Sequence, residues 1–406
     1  MRPLPSLLIL FSLYFSQGLP SGFLAHALPA LMRDQGVALQ YIGLLKLLAL
    51  PWALKFLWAP YVDQFGVYRL WVVLMQLLLA SILFFASFST QAALFGPYIL
   101  LFLLGVVLVN SFAATQDIAT DGLAVKLLAE KWRGLGNSVQ VAGFKLGMIL
   151  SGSLLLVGVD QLGWSLSFRL LAILLVLLLI PSLFLKVRNT HINGQPKNMG
   201  LKTYLMFFKQ VNMGAWLWVL VTYKISDSLG SAMIKPMLID QGYGLRDIAE
   251  LTFWSSIFGL LGAVLAGILY YRWGQKRLLI SGCFLQAVGI AAYAFVANGA
   301  EGTQGVYVIA LFEQAVDGLS TVVLFSLMMS QCRVGHEGAD FTVQASIQVL
   351  ISGIVGALSG VIASILGFTY LFVLAGLLGV LAMFPVMHYF RSKSAAGASG
   401  QNKSAS

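Results

Sequence analysis

Stretches of about 20 apolar residues recur along the whole chain, and this feature limits the possible folds more than any other. A helix of that length crosses the roughly 30 Å hydrocarbon core of a bilayer. Few of the stretches alternate at period two, as the strands of a membrane barrel would. Because lipid offers no partner to a free backbone N–H or C=O group, the spans are expected to be helices. The sequence therefore predicts an all-α integral membrane protein.

The charge content agrees with this prediction. Only 10% of the 406 residues are charged, whereas about 25% are charged in soluble domains. The net charge of +10 could suggest nucleic-acid binding, but the basic residues lie in short loops, where membrane topology explains them. The two cysteines indicate neither a disulfide framework nor a metal site. We therefore expect no nucleic-acid partner, no cofactor and no bound metal.

Twelve spans can be placed along the chain. Their approximate ranges are 4–32, 40–62, 68–90, 94–127, 132–158, 164–186, 209–237, 246–271, 275–297, 302–332, 339–364 and 367–391. Lysine and arginine concentrate in the loops after the even-numbered spans and at both chain ends. The positive-inside rule then predicts that both termini are cytoplasmic.

The chain divides into two related halves. Residues 187–208 are polar and form a predicted cytoplasmic linker between six-helix bundles at 1–186 and 209–391, and residues 392–406 indicate a disordered cytoplasmic tail. The sequence Asp34-Gln35-Gly36 recurs as Asp240-Gln241-Gly242, and Val139-Gln140 recurs as Val343-Gln344. Parallel repeats of this kind mark the halves of major-facilitator transporters. The predicted fold is therefore two pseudo-symmetric six-helix bundles.

Polar residues inside the spans follow the helix number. A charged side chain within a membrane costs several kcal/mol, so each one is a candidate functional residue. The alternative is that such charges pair with one another and hold helices together. The candidates for the substrate and proton pathway lie in spans 1, 2, 4, 5, 7 and 10: Gln17, His26, Lys46, Lys55, Gln116, Asp117, Lys145, Lys224, Asp227, Glu313 and Asp317. Glu313 or Asp317 is the expected proton carrier. Asp227 is the second choice, because Lys224, at i, i+3, can pair with it and hold it ionised.

A second set of residues indicates a gate. Asp63, Gly66 and Arg69, between spans 2 and 3, resemble the major-facilitator signature, which latches the cytoplasmic gate through charge pairing. Its echo between spans 8 and 9 has Arg272, Gly274 and Arg277, but Tyr271 stands where the acidic residue would be. Asp121, near the cytoplasmic end of span 4, is also expected to act as a latch.

Three motifs carry a closer resemblance: Gln17-Gly18-Leu19-Pro20, Lys55-Phe56-Leu57-Trp58-Ala59-Pro60, and the segment Ala114 to Gly122. Together they resemble the AmpG-like permeases, a branch that includes muropeptide and acetyl-coenzyme A transporters. The short loop after Asp63, the compact length and the Leu44–Leu48 context look more like the RhtX/FptX siderophore permeases of that branch. This resemblance implies proton-coupled import of a siderophore or ferric siderophore across the inner membrane. A muropeptide is the alternative substrate, and an acyl-coenzyme A compound is a further one.

Two other classes compete with a transporter. A multispanning enzyme would carry its catalytic motifs in a sizeable loop, and a channel would not need two repeated halves. The sequence has no Gly-rich phosphate-binding loop, so ATP is not the expected energy source. We expect a monomeric transporter, not an enzyme, whose partners are a small-molecule substrate, protons and the lipid bilayer.

The orientation gives a first test. Reporter domains fused at Met1 and at Ser406 should both report the cytoplasm, because the basic loops retain that side of the membrane. Alkaline phosphatase, which is active only in the periplasm, should be inactive at either end. A periplasmic signal from one end would overturn the topology.

Overall fold

The computed structural model describes residues 3–28, 31–32, 48, 50–64, 67–183, 201–300 and 302–404. Lys46, Gly66 and the first Asp-Gln-Gly copy lie outside these ranges, as does most of the linker. The chain forms two compact units. The N-terminal unit comprises Met1–Tyr204 and Gln331–Ser346, and the C-terminal unit comprises Leu205–Ser330 and Ile347–Ser406. The sequence analysis places residues 331–346 in the C-terminal half, whereas in the structure they belong to the N-terminal unit.

The N-terminal unit contains spans 1 to 6. Span 1 is Pro3–Gly22, continued by a π-helical turn at Phe23–Ala27. The later elements are Leu50–Leu54, a 3₁₀ turn at Lys55–Leu57, Ala59–Gln64, Tyr68–Ala86, the short Gln91–Phe95, Ile99–Leu127, a 3₁₀ turn at Glu130–Trp132, Arg133–Ile149, a π-helical turn at Leu150–Leu154, and Leu155–Leu183.

The C-terminal unit contains spans 7 to 12. Its elements are Met213–Thr222, Ile225–Asp240, Leu245–Ala297, Thr303–Gln331, Glu337–Leu366, Phe368–Leu381 and Met383–Ser404. A further short helix, Leu201–Phe208, lies in the predicted linker. The helix Glu337–Leu366 begins in the N-terminal unit and continues into the C-terminal one.

The predicted all-helical membrane fold is confirmed. No strand occurs in the ranges given above. Seven helices there are long and apolar enough to cross a membrane, and one of them, Glu250–Ala297, has 48 residues, enough for two crossings. Large apolar side chains also face outward, including Leu100, Phe85 and Ile365. Such exposure would cost stability in water, but it suits a surface that lipid covers.

At three places, a single glycine joins two consecutive spans: 5 and 6, 8 and 9, and 11 and 12. Gly163, Gly274 and Gly367 each have φ between +74° and +81° and ψ between 163° and 165°. Only glycine adopts this backbone conformation without strain. Gly163 and Gly367, after spans 5 and 11, differ by the same 204 positions as Val139 and Val343. The structure therefore extends the internal repeat to the turn geometry.

Spans 2 and 7 are interrupted, which the sequence pattern did not predict. Span 2 changes from α-helix to a 3₁₀ turn at Lys55, and span 7 stops at Thr222 and resumes at Ile225. Both breaks therefore fall at an intramembrane lysine, Lys55 or Lys224. A break is tolerated at membrane depth where neighbouring helices satisfy the freed backbone groups.

The last helix, Met383–Ser404, runs through most of the tail that we expected to be disordered. Two adjacent alanines, Ala395 and Ala396, have high helix propensity and are compatible with this continuation.

Glycines allow spans 1 and 5 to touch through their backbones. A Cβ at Gly147 would lie 2.2 Å from the Phe15 carbonyl oxygen, and one at Gly18 would lie 2.9 Å from the Gly147 Cα. Small residues at these positions therefore let spans 1 and 5 pack closely. On span 11, a Cβ at Gly356 would lie 3.7 Å from the Ser228 carbonyl oxygen, an ordinary van der Waals distance, so that glycine does not mark a close crossing.

Candidate functional site

A buried ion pair joins spans 2 and 4 of the N-terminal unit. The Lys55 ammonium donates to an Asp117 carboxylate oxygen, and both residues are buried. The 3₁₀ turn places Lys55 next to the Trp52 ring, 5.5 Å from its centroid. Trp52 donates in turn to Asn110 of span 4, with Nε1 3.0 Å from Oδ1. The structure therefore brings together two of the predicted pathway residues, Lys55 and Asp117. The Trp52–Asn110 hydrogen bond joins the same two spans close to this pair.

A glutamine network lies beside this pair. Gln116 Nε2 donates to Gln76 Oε1 at 2.8 Å and to Ser16 Oγ at 3.2 Å. Gln76 Nε2 donates to the Leu175 carbonyl at 2.7 Å, so the network connects spans 1, 3, 4 and 6. Gln17 is fully buried, and neither of its amide atoms has a hydrogen-bond partner among the residues described. A buried amide without a partner costs free energy unless a ligand supplies one.

Asp121 is held by two polar side chains. It accepts a hydrogen bond from the Tyr14 hydroxyl at 2.8 Å and has the Gln140 amide nitrogen at 3.5 Å. Spans 1, 4 and 5 therefore meet at this carboxylate. This geometry suits the structural latch that the sequence suggested, but the contact lies within spans 1 to 5 and does not reach the signature at Asp63.

The C-terminal unit has a similar ion pair, which is partly buried. Lys224 Nζ lies 2.6 Å from Asp317 Oδ1 and 2.7 Å from Ser320 Oγ, both on span 10. By sequence spacing, Lys224 can pair with Asp227 one turn along span 7. The ion pair in the structure is the one with Asp317, because the helix breaks at Lys224 and directs its ammonium to span 10. Asp227 accepts instead from Gln286 Nε2, at 3.2 Å.

Two glutamines that the sequence interpretation passed over complete these networks. Gln286 of span 9 accepts from Ser320 Oγ at 2.6 Å while donating to Asp227. Gln76 has the corresponding role on span 3. Spans 3 and 9 carry no charge in their middles, and attention to charge alone missed both residues. A lone amide in an otherwise apolar span would have been the signal, since it needs a partner there.

Glu313 is a buried acidic residue of span 10 with only part of its hydrogen-bonding capacity used. Its side chain is fully buried, Oε2 accepts from Gln314 Nε2 at 3.0 Å, and Oε1 has no hydrogen-bond partner in the described chain. Gly289 of span 9 allows the backbone of Glu313 to pack closely, since a Cβ there would lie 3.3 Å from its Cα. One carboxyl oxygen of Glu313 is therefore buried without a polar contact among the described residues.

Three predicted pathway residues have less defined positions. Lys145 is half-buried on span 5, and no ion pair or hydrogen bond of its side chain is found within the described ranges. His26 belongs to the π-helical turn of span 1, but its side chain is outside the description. Lys46 lies outside the described residues altogether. Lys55 and Lys224 each form an ion pair, whereas Lys145 forms none with the described residues.

The predicted gate residue Asp63 receives hydrogen bonds from the start of the helix Glu337–Leu366, within the N-terminal unit. The Gly338 N–H lies 3.1 Å from Oδ1 and the Ala339 N–H lies 2.8 Å from Oδ2. The Tyr68 hydroxyl also donates to Oδ1. A carboxylate at a helix N-terminus satisfies free N–H groups and complements the helix dipole. Asp63 therefore holds the segment 331–346 in this unit.

Asp63 lies outside the spans, and its acidity reflects its burial. Burial raises the pKa of Asp63 to about 7, while the hydrogen bonds from Tyr68 and Ala339 act in the opposite direction. The side chain therefore exchanges its proton near neutral pH. Of the other signature residues, Arg69 is half-buried and Gly66 lies outside the described chain.

Charged side chains surround this contact. Glu337 lies 3.6 Å from the Lys126 ammonium, which is also 4.6 Å from the centroid of the Tyr68 ring. Arg333 binds both oxygens of Asp340, at 2.8 and 2.6 Å, and donates to the Thr203 carbonyl at 2.9 Å. Motif comparison did not identify these partners, because they lie far from Asp63 in the sequence.

The second copy of the signature has a different environment. Arg272, Gly274 and Arg277 are exposed, and neither arginine forms an ion pair within the described part of the C-terminal unit. Gly274 forms the break between spans 8 and 9. Gln275 instead donates to the Tyr270 hydroxyl at 2.6 Å and to Ser330 Oγ at 3.1 Å.

Solved structures with this fold are transporters. The human organic anion transporter MFSD10 aligns with a TM-score of 0.74 and 12% identity, covering 95% of this chain and 100% of its own. The proton:xylose symporter XylE aligns with a TM-score of 0.68 and 15% identity, covering 94% of each chain. At these identities, the similarity establishes the fold alone.

Curated relatives correct the expected substrate class. The chain is 28% identical to the anhydromuropeptide permease of Escherichia coli K12 over 95% of this chain and 81% of that protein. It is 22% identical to a candidate transporter of Rickettsia conorii named AmpG 4, over 93% and 95%. The siderophore interpretation was wrong. It rested on a short loop, the compact length and the Leu44–Leu48 context, and loops and length vary within a family more readily than buried motifs. The AmpG-like resemblance is supported, and the closer RhtX/FptX resemblance is not.

The family itself follows from a match along most of the chain. Residues 10–357 match the model of the Major Facilitator Superfamily. This range begins in span 1 and ends in span 11, so it includes both ion pairs and the Asp63 contact. The chain is a multi-pass membrane protein that belongs to the Major Facilitator Superfamily.

Proposed function

We propose that this protein imports anhydro-muropeptides across a bacterial inner membrane by proton-coupled alternating access, acting as a monomer and not as an enzyme. The observation that carries this proposal is the 28% identity with an anhydromuropeptide permease along 95% of the chain. An alignment of that extent spans most of both units.

The chemistry of the polar residues supports the same substrate. A muropeptide presents sugar hydroxyls, acetamido and peptide amides, and carboxylates. Gln17 and the Oε1 atom of Gln116 are buried without partners in the described structure, and amides are suitable partners for such groups. Lys145 can supply a positive charge to a carboxylate, since intramembrane lysines generally face the bundle interior or a water-filled space.

Uptake measurements test the substrate directly. Proteoliposomes should accumulate labelled anhydro-muropeptide when an inward proton gradient is imposed, and a neutral disaccharide should not compete. The exposed Lys202→Gln variant provides a control that should behave as wild type. Absence of uptake in folded, correctly inserted protein, with and without the gradient, would refute the proposed substrate.

We assign proton coupling to Glu313 in preference to Asp317. Asp317 already has a cation, since Lys224 lies 2.6 Å away. Ionised Glu313 would have neither a cation nor a full set of hydrogen bonds among the described residues. A proton is the simplest partner for such a group, and its release requires that water or substrate reach the site. This difference makes proton binding at Glu313 sensitive to the conformation of the transporter.

Substitutions distinguish the roles of the Glu313 and Asp317 carboxyl groups. Glu313→Gln should abolish accumulation driven by the proton gradient but preserve exchange of substrate, because the amide imitates the neutral acid. Asp317→Asn should impair folding or all transport, because it removes the carboxylate that pairs with the Lys224 ammonium inside the spans. If Glu313→Gln still accumulates substrate with wild-type pH dependence, the proton carrier lies elsewhere.

We further propose that Asp63 acts in gating and not in substrate binding. Its carboxylate accepts hydrogen bonds from the N–H groups of Gly338 and Ala339, so it holds the start of the helix Glu337–Leu366. Asp63→Asn should therefore slow transport while substrate affinity at equilibrium stays within about twofold, a change under 0.5 kcal/mol. A tenfold loss of affinity with normal turnover would contradict this role.

The pKa of Asp63 gives the sign of a pH effect. The folded-state pKa of about 7 is above the ordinary 3.8, so the native state holds the proton more tightly than the unfolded chain. This residue therefore makes the wild type less stable as pH rises from about 4 to about 7, by up to about 1.4 kcal/mol per pH unit. Melting temperatures of wild type and Asp63→Asn in detergent at pH 5 and pH 8 should diverge. Equal shifts in both proteins would exclude this titration.

A further inference from the structure

Two apolar cavities lie on the N-terminal unit, and Phe85 forms part of the wall of both. The first has a volume of about 290 Å³ and lies among spans 1, 3, 4 and 6, where Phe23, Phe102, Gly105 and Phe168 line it. The second has a volume of about 350 Å³ and lies between spans 3 and 6. Neither cavity contributes to the polar networks of the unit.

Both cavities reach the outer surface of the unit. Phe85 is 70% exposed and Leu101, which lines the first cavity, is 64% exposed. In a membrane protein such apolar surface faces hydrocarbon. Each volume is close to the lower limit of small-molecule pockets, about 300 Å³. Narrow apolar spaces that open toward lipid match acyl chains better than a hydrated sugar peptide.

A cation lies beside the walls of these cavities. Arg169 of span 6 follows the lining residue Phe168, and its Nε atom lies 3.4 Å from Ser87 Oγ. Its guanidinium carbon lies 5.1 Å from the centroid of the Phe88 ring. Ser87 and Phe88 stand between Ala86 and Ser89, which both line the first cavity.

Arg169 retains binding capacity for an anion. It is half-buried and forms no ion pair with any acidic side chain in the described part of the chain. A guanidinium has five N–H donors, and the recorded hydrogen bond uses one of them. The planar group is well suited to bidentate binding of phosphate. Its position near the start of span 6 is at the periplasmic end in the predicted topology, where outer-leaflet headgroups lie.

We propose that the N-terminal unit binds one anionic phospholipid, with its two acyl chains in the paired cavities on either side of Phe85 and its phosphate on Arg169. Two apolar spaces and one adjacent cation match the chemistry of a diacyl phospholipid. Free phosphate would contact the arginine but leave both cavities empty.

Native mass spectrometry of the purified protein, titrated with phosphatidylglycerol, measures this binding. Wild type should bind one phosphatidylglycerol more tightly than phosphatidylethanolamine, and inorganic phosphate should not displace it. Arg169→Gln should bind phosphatidylglycerol about tenfold more weakly, the factor expected for one charge-assisted hydrogen bond. Gly105→Leu should also weaken binding, because a Cβ there meets nothing within 4 Å and the side chain can enter the cavity.

Gly353→Leu is the matched control. Gly353 lies in span 11, a Cβ there also meets nothing within 4 Å, and it lines neither cavity. Binding by Arg169→Gln and Gly105→Leu that equals binding by Gly353→Leu would overturn the proposal. Competition by anhydro-muropeptide would also overturn it, by showing that the cavities receive substrate.

Photo-crosslinking of the wild type keeps the test independent of the variants' folding. Phosphatidylglycerol with a diazirine in one acyl chain should label peptides of spans 3, 4 and 6 around Phe85 and Phe102. Labelling confined to other spans would refute the site.

Discussion

A lysine held away from water requires an anionic partner, and each unit of this transporter is arranged around one such pair. Lys55 meets Asp117 in the N-terminal unit, and Lys224 meets Asp317 in the C-terminal one. In both, the lysine lies where its span departs from α-helical geometry, and the acid lies on an unbroken helix. Because removing one partner leaves a buried charge, these pairs fix the contacts of spans 2 with 4 and 7 with 10.

Neutral polar residues extend these pairs into networks. Gln76 and Gln286 lie on the spans that carry no charge in their middles, and each connects to the polar residues of its neighbours. The amide can donate and accept at once, so one side chain satisfies groups on two other helices. Next to these networks, buried atoms of Gln17, Gln116 and Glu313 have no hydrogen-bond partner among the described residues. They are where a substrate or a proton would complete the hydrogen bonding.

The Asp63 contact shows how the same physics operates at a helix end. Free N–H groups at the start of Glu337–Leu366 need acceptors, and the Asp63 carboxylate supplies two. Lys126, Tyr68 and Glu337 add charge and shape around that contact. The second copy of the signature lacks the acidic residue, and its arginines remain exposed. The contact with the helix start is therefore made by the acid, which the second copy does not have.

The sequence by itself determined the membrane-spanning helices, the family resemblance and the residues that would have to be buried, because apolar run length and intramembrane charge depend only on local composition. It also identified Asp63, Lys55 and Asp117 through their motifs. Only the tertiary structure decided the pairings, since a helix break at Lys224 redirects its ammonium from Asp227 to Asp317. Likewise, Gly338 and Ala339 reach Asp63 across some 275 positions of sequence. Hydrogen-bond partners are selected by distance and direction in space, and residue spacing along the chain does not encode either once a helix is interrupted.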